Sequence, residues 1–185
     1  GEGHAHETGR AQGARARASA EELGFGWDEA SVERALAGIT SADPLRVRLT
    51  IGRLGDADLT TAPLPRNPAS WRLIVAPERL DPEDPRLRHK TTERRLYDRV
   101  RAALPTGVDE AIFLNTRGEV CEGTITNLFF DLGDGLMTPP LACGCLPGVL
   151  RAELLASDRV REAVLTDGDL HQARLWMGNS LRGLI

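Results

Sequence analysis

The chain has 185 residues, 41% of them apolar and 27% charged, and its formal net charge is −4. This length and balance fit a globular protein of one domain or two small ones, and they exclude disordered and fibrous classes. Because 27 acidic side chains outnumber 23 basic ones, neither nucleic acid nor an anionic membrane is the expected partner. No apolar run reaches the roughly 20 residues that cross a bilayer, and no signal segment is recognisable, so we expect a cytoplasmic protein.

The cysteines and histidines form no pattern typical of a metal site. Cys121, Cys143 and Cys145 contain no C-x-x-C pair, which also argues against a disulfide framework. His4 and His6 lie close together near the start of the chain, where histidines are more often solvent-exposed than metal ligands. We therefore predict a protein with reduced cysteines and no metal ion.

The N-terminal part of the sequence predicts a small α/β lobe after a short tail. Residues 1–18 contain almost no apolar side chain larger than alanine, so we expect them to be poorly ordered. In the lobe, residues 19–77, one helix ends at Gly24 and a second begins after the N-cap Asp28. Strict alternation of apolar and polar residues over 45–51 predicts a strand. Its expected neighbours are strands at 59–62 and 71–76.

A linker and a larger lobe follow. Three prolines between residues 77 and 85 predict a linker over residues 78–87, since proline fixes φ and disfavours helix at the preceding residue. Residues 88–185 form the larger lobe, which begins with a helix over 92–104. Its other predicted elements are hairpins with turns at 115–118 and 132–135, a helix from Pro147 through Leu155, and a last strand at 175–177. This order of elements is typical of an α+β fold.

Four short segments of the larger lobe carry residues suited to chemistry. Lys90, the only lysine of the chain, stands between the linker and a helix. Glu122 directly follows a hairpin strand and precedes small and hydroxyl residues. Gly148 lies in the first turn of a helix, where unpaired backbone N–H groups attract anions, and Asn179 and Ser180 follow the last strand. Each feature alone is common in proteins that have no site there, and only their combination indicates one.

In this order the segments resemble the class IV aminotransferase family, the fold-type IV enzymes that use pyridoxal phosphate. The resemblance extends from about Arg15 to the end of the chain, and its motifs are closest to the aminodeoxychorismate lyase-like branch. The motifs are His89-Lys90-Thr91-Thr92, Asn115-x-Arg117-Gly118-Glu119, Glu122-Gly123-Thr124-x-Thr126-Asn127-Leu128-Phe129, Thr138-Pro139-Pro140 and Gly178-Asn179-Ser180-Leu181-Arg182-Gly183.

This resemblance implies an architecture. It implies two lobes, as in D-amino-acid aminotransferase, with the cofactor cleft between them, and a homodimer whose partner loop reaches the site. The family carries one or two strands before the arginine that Arg15 matches, so we expect a small lobe that is truncated at its N-terminus.

The resemblance also implies a role for each site residue. Lys90 binds the cofactor covalently and acts as the catalytic base, and Glu122 keeps the pyridine nitrogen protonated. Asn127, in the same motif as Glu122, is also expected to bind the cofactor. Leu146 packs on the ring of the cofactor. The remaining expected contacts are with the phosphate group, from the backbone amides of Gly148, Val149 and Leu150, from Asn179 and Ser180, and from Arg15. Tyr97, the only tyrosine, is either a hydrogen-bonding neighbour of the cofactor or a buried helix residue.

The expected reaction begins with removal of a proton from the carbon that bears the substrate amine. In the lyase-like branch, 4-amino-4-deoxychorismate would yield 4-aminobenzoate and pyruvate. Two alternatives stay open: an aminotransferase acting on branched-chain or D-amino acids, and a degenerate family member that binds the cofactor without turnover.

Overall fold

A computed structural model describes residues 2–185, with side chains from Gly9 onward. The chain folds as two compact units, Gly1–Arg66 and Asn67–Ile185. The side chains of His4 and His6 lie outside the described residues. Across residues 2–185, no helix combines the length and the apolar character needed to cross a membrane.

The first unit consists of two helices and a β-hairpin. As predicted, Gly24 follows the first helix with a positive φ of +71°, and the Asp28 carboxylate accepts a hydrogen bond from the Ser31 amide at 3.1 Å to cap the second. The predicted strand over 45–51 is confirmed and pairs antiparallel with the next one. The elements are α1 (Glu2–Glu22), α2 (Glu29–Ala37), β1 (Leu45–Ile51) and β2 (Ala57–Pro63).

Helix α1 corrects the expectation that residues 1–18 are poorly ordered, because it begins at Glu2. The absence of a large apolar stripe was the basis for that expectation. The segment is nevertheless rich in alanine and arginine, two of the strongest helix formers. An i,i+4 ion pair between Arg17 and Glu21, with Nε and Oε1 3.0 Å apart, adds to this local preference.

The second unit is built around one mixed sheet. Its strands follow the order β10-β9-β6-β5-β4-β3, and β7 pairs with both β6 and β8. The mixed topology confirms the predicted α+β class. The elements are β3 (Leu73–Leu80), α3 (Arg95–Ala102), β4 (Glu110–Asn115), β5 (Val120–Gly123), β6 (Asn127–Asp131), β7 (Met137–Thr138), α4 (Val149–Ala156), β8 (Arg161–Glu162), β9 (Arg174–Asn179) and β10 (Gly183–Leu184), with 3₁₀ turns at Pro85–Arg88, Leu141–Cys143 and Asp167–Asp169.

The sequence pattern predicts that the strand at 71–76 lies beside β1. In the structure this strand, β3, pairs in parallel with β4 instead. It also continues through Pro77, the first proline of the expected linker. Proline is tolerated because β3 is the edge strand of the sheet and its register is broken between Val75 and Arg79. Pro77 therefore lies within an edge strand and Pro82 and Pro85 follow it, all three inside the second unit.

The boundary between the units consequently differs from the expected one. The expected lobes, residues 19–77 and 88–185, are separated by a linker at 78–87, whereas the structure divides the chain after Arg66. Residues 67–87 belong to the larger unit, because pairing of β3 with β4 joins them to the main sheet. Local proline content could not reveal this, since parallel pairing is a long-range contact.

Two helices of this unit begin later than predicted. The helix expected over 92–104 begins at Arg95, and the helix expected from Pro147 begins at Val149 with Gly148 as its N-cap. Proline thus precedes the cap here instead of occupying the first helical position. The result is a short irregular segment that brings backbone groups of residues 146–148 toward the sheet.

The core places α3 and α4 against the strands that carry the candidate residues. Phe113 of β4 is fully buried in a cluster that includes Val100 of α3. Phe129 of β6 is fully buried with Leu154 of α4. Complete burial of two phenylalanines fixes both helices on the sheet, because each removes a large apolar surface from water.

Candidate active site

Glu122 is the centre of the candidate site. It lies near the end of β5, directly opposite Asn127 of β6, and only 6% of its surface is exposed. Its Oε1 accepts a hydrogen bond from the Tyr97 hydroxyl at 2.8 Å, and its Oε2 accepts one from the Leu146 amide at 2.9 Å. The carboxylate is thus held from both sides by groups that approach it from different elements.

Burial controls the ionisation of this carboxylate. Removal from water raises the pKa of Glu122 to about 7, although the hydrogen bonds from Leu146 and Tyr97 oppose the increase. The positive charge of Arg94 also lowers the pKa of Glu122, whereas the negative charge of Glu110 raises it. A carboxylate in this state exchanges a proton near neutral pH, as expected for a group that interacts with a titratable ligand.

Side chains from one face of α3 and from its N-cap form hydrogen bonds to the turn that follows Glu122. Arg94, Tyr97 and Arg101 follow the i, i+3, i+7 spacing of a helix face. The Arg94 guanidinium donates to the Thr124 carbonyl, and Arg101 Nη1 donates to the Thr124 hydroxyl at 3.0 Å. The sequence predicts a helix here, but it does not reveal that its polar face turns toward the sheet.

Glu110 is a second buried carboxylate, and sequence reasoning missed it. It begins β4 and is completely inaccessible to solvent. It accepts hydrogen bonds from the amides of Thr124 and Ile125 and from the Thr126 hydroxyl, at 3.0, 3.2 and 3.0 Å, and forms an ion pair with Arg101 at 3.4 Å. The signal that could have found it is an acid directly before the apolar run 111–114.

The start of α4 lies against Asn127. The Asn127 side-chain amide donates to the Leu146 carbonyl at 2.9 Å. At Gly148, a Cβ atom would lie 1.9 Å from Asn127 Oδ1, so only glycine fits at this close approach. The Gly148 amide donates to the Leu146 carbonyl at 2.8 Å. The amides of Val149 and Leu150 lie in the first turn of α4, where no carbonyl of the helix itself can accept their hydrogen bonds.

The end of β9 completes this group of residues. Gly178 lies opposite Asn127 in the sheet, and a Cβ atom there would lie 3.0 Å from Leu150 Cδ2, so α4 packs closely on β9. The Asn179 side-chain amide donates to the Ile125 carbonyl at 3.1 Å. The tip of β9, the turn after Glu122 and the start of α4 are therefore in mutual contact.

The other predicted site residues are placed as follows. Lys90 is exposed in irregular backbone between the 3₁₀ turn and α3, five residues before that helix. Ser180 is half-buried beside Asn179. Arg15 lies in α1 of the first unit, where it donates to Gln12 at 2.7 Å and burial lowers its pKa. The structure thus links Glu122, Asn127 and the 146–150 segment through direct contacts.

Comparisons with known proteins identify relatives over most of the chain. A family model described as amino-transferase class IV matches residues 13–185. A solved structure from Mesorhizobium loti, provisionally assigned as an amino-acid aminotransferase, has a TM-score of 0.87 and 46% identity, covering 96% of this chain and 89% of that one. The likeness confirms the predicted fold-type IV architecture.

Two yeast proteins are also related. A Schizosaccharomyces pombe protein, provisionally assigned as an aminodeoxychorismate lyase, is 28% identical over 155 residues, which represent 80% of this chain and 67% of the relative. The aminodeoxychorismate lyase of Saccharomyces cerevisiae is 30% identical over 131 residues. These residues represent 60% of this chain and 33% of the relative, so the chain spans about a third of that protein.

The residues present fit pyridoxal phosphate, the cofactor of the matching family. Each carboxylate oxygen can accept two hydrogen bonds, so Glu122 retains capacity for the ring nitrogen beside its bonds to Tyr97 and Leu146. The first-turn amides of α4 and the positive end of its dipole suit a phosphate group. The close approach at Gly148 holds the first turn of α4 against Asn127, next to Glu122 in the sheet.

We predict that Glu110→Gln lowers the free energy of unfolding by about 3 kcal/mol, because it breaks a buried ion pair and places an amide among hydrogen-bond donors. Urea unfolding measures the change. The matched control is Glu83→Gln, whose side chain is 84% exposed beside Arg117 and which should leave the unfolding midpoint unchanged. Equal losses in the two variants would contradict the role assigned to Glu110.

We predict that Gly148→Ala weakens binding of pyridoxal phosphate to the apoprotein by about tenfold or more, since the added Cβ displaces Asn127 or the start of α4. Quenching of tryptophan fluorescence measures the dissociation constant. Gly168→Ala is the control, because a Cβ there meets only Thr166 Oγ1, at an ordinary 3.8 Å. Equal affinities of the two variants would refute this interpretation of the close approach.

Proposed function

We propose that this chain, which belongs to the class IV aminotransferase family, converts 4-amino-4-deoxychorismate to 4-aminobenzoate and pyruvate. The chain is a pyridoxal-phosphate-dependent enzyme, an aminotransferase or a lyase, as its family is. The observation that carries the proposal within the structure is the buried Glu122 carboxylate, held between α3 and the segment before α4. Both named yeast relatives and the motifs around Asn115, Thr138 and Asn179 favour the lyase reaction.

Several residues would hold the cofactor. Lys90 would bind it covalently, Glu122 would accept a hydrogen bond from its protonated ring nitrogen, and Leu146 would pack on its ring. The residues that would hold the phosphate are Val149, Leu150, Asn179 and Ser180. Gly148 would lie beside the phosphate, but its amide donates to the Leu146 carbonyl, so the backbone donor expected from it is already engaged. A contact of Arg15 with the phosphate stays a prediction from the sequence.

The bound cofactor supplies an electron-withdrawing ring that stabilises negative charge on the substrate carbon. Lys90 is released as a free amine when the substrate amine takes its place on the cofactor. In its neutral form, which the positive charge of the bound cofactor would favour, Lys90 then removes the proton from the carbon that bears the substrate amine. Glu122 holds a proton at the ring nitrogen throughout. Lys90 then returns its proton to the departing enolpyruvyl group, which leaves as pyruvate, and the remaining ring becomes aromatic.

Transamination is the second candidate, favoured by the M. loti relative at 46% identity. Both reactions begin with the same proton abstraction by Lys90. They differ in the fate of the nitrogen, which transamination transfers to a keto acid and the lyase leaves on the product. The catalytic residues are therefore shared, and only the product distinguishes the two reactions.

The covalent role of Lys90 predicts a single site of labelling. Borohydride reduction of the protein loaded with pyridoxal phosphate should attach the cofactor to the peptide that contains Lys90, the only lysine in the chain. Mass spectrometry of the digested protein locates the label. Lys90→Ala should carry none, and a label that persists in this variant would refute the assignment.

The reaction itself is tested by supplying enzymatically prepared 4-amino-4-deoxychorismate and following 4-aminobenzoate by fluorescence. We expect 4-aminobenzoate and pyruvate in equal amounts. A parallel panel of L- and D-amino acids with 2-oxoglutarate or pyruvate measures amine transfer. Rapid transfer without 4-aminobenzoate would establish the aminotransferase instead, and no product in either assay, with Lys90 still labelled, would establish a cofactor-binding protein without turnover.

A further inference from the structure

The hydroxyl of Tyr97 approaches Glu122 from the side opposite the α4 segment. It donates to Oε1 at 2.8 Å, while the Leu146 amide donates to Oε2 at 2.9 Å. One donor on each oxygen fixes the plane of the carboxylate. An oxygen that accepts one hydrogen bond can accept a second, so the fixed carboxylate still presents an acceptor.

Tyr97 is itself held in place by its neighbours. Its ring packs on the fully buried Phe113 with centroids 4.9 Å apart and planes inclined by 57°. The Arg94 guanidinium carbon lies over the same ring, 5.1 Å from its centroid. Burial and the charge of Glu122 raise the pKa of Tyr97 well above its ordinary value, so at neutral pH the phenol keeps the proton that it donates to the Glu122 carboxylate.

We propose that Tyr97 is a positioning residue that holds the Glu122 carboxylate oriented toward the ring nitrogen of the cofactor. The inference rests on the proposed function, in which Glu122 accepts a hydrogen bond from that nitrogen. This role differs from the two alternatives that the sequence left open for Tyr97, a hydrogen bond to the cofactor or simple burial in a helix, because the hydroxyl donates its hydrogen bond to Glu122. A carboxylate that is already oriented does not have to reorient when the cofactor binds. Removal of the Tyr97 hydroxyl should therefore weaken cofactor binding.

Several other groups face Glu122 and enter the test. The Arg94 guanidinium lowers its pKa, and Glu110 of β4 raises it. The buried thiols of Cys121 and Cys145 also interact with its charge. Variants at Tyr97 therefore have to be compared in the presence and absence of Glu122.

The first experiment is made on the apoprotein and needs no cofactor. Since Tyr97 is the only tyrosine, apoprotein labelled with [13Cζ]tyrosine gives one NMR signal from this ring. We expect its chemical shift to titrate with a midpoint of about 7, the pKa of Glu122, and to lose this titration in Glu122→Ala. A pH dependence of this signal that is the same in the wild-type apoprotein and in Glu122→Ala would overturn the contact and the inference.

The second experiment is a double-mutant cycle on the affinity of the apoprotein for pyridoxal phosphate. Tyr97→Phe keeps the ring on Phe113 and removes only the hydroxyl, and we expect about a fivefold or greater loss of affinity. In the Glu122→Ala background the same substitution should change affinity by less than about twofold. Equal losses in both backgrounds would overturn the inference, because Tyr97 would then act independently of Glu122.

The cycle also separates this inference from the proposed function. An affinity that is unchanged in Glu122→Ala alone would overturn the role of Glu122 in holding the cofactor, and the inference with it. A large loss in Glu122→Ala, combined with equal effects of Tyr97→Phe in both backgrounds, would overturn only the role of Tyr97. The melting temperature of each apoprotein distinguishes a local effect from general loss of stability.

Discussion

Burial of the Glu110 carboxylate is the constraint on which the arrangement of the site depends. A charge without solvent requires hydrogen-bond donors from the protein, and here the turn between β5 and β6 supplies them through Thr124, Ile125 and Thr126. The turn is thereby drawn onto the start of β4, with Arg101 balancing the charge. Glu122 at one end of this turn and Asn127 at the other are positioned as a consequence.

The two buried glutamates differ in how much hydrogen-bond acceptor capacity their neighbours leave free for a ligand. Glu110 accepts bonds from several amides and hydroxyls of the turn and pairs with an arginine, so it serves structure. Glu122 has one donor on each oxygen and a pKa of about 7. The first carboxylate organises the backbone, and the second keeps capacity for a ligand. Similar burial therefore leads to two different roles, because the number and charge of the neighbouring donors differ.

Close backbone approach is the other condition for the site. Gly148 permits contact between the start of α4 and Asn127, and Gly178 permits contact between β9 and Leu150. A Cβ atom at Gly148 would meet the Asn127 side chain, and one at Gly178 would meet Gly183 and Leu184 of β10 as well as Leu150. Glycine at these positions is needed for space, not for a positive φ, which distinguishes them from Gly24 and from the hairpin glycine Gly118.

The sequence by itself determined the local features: the cap at Asp28, the alternating strand β1, the hairpin turns, and the motifs that contain Lys90, Glu122 and Gly148. These follow from interactions among residues close in the chain, which sequence patterns report directly. Only the tertiary structure decided that β3 joins the main sheet and that Tyr97 and Glu110 contact the Glu122 segment. Those contacts join residues 14 to 37 positions apart, and such pairing is set by the burial and hydrogen-bond needs of the folded chain, which no local pattern specifies.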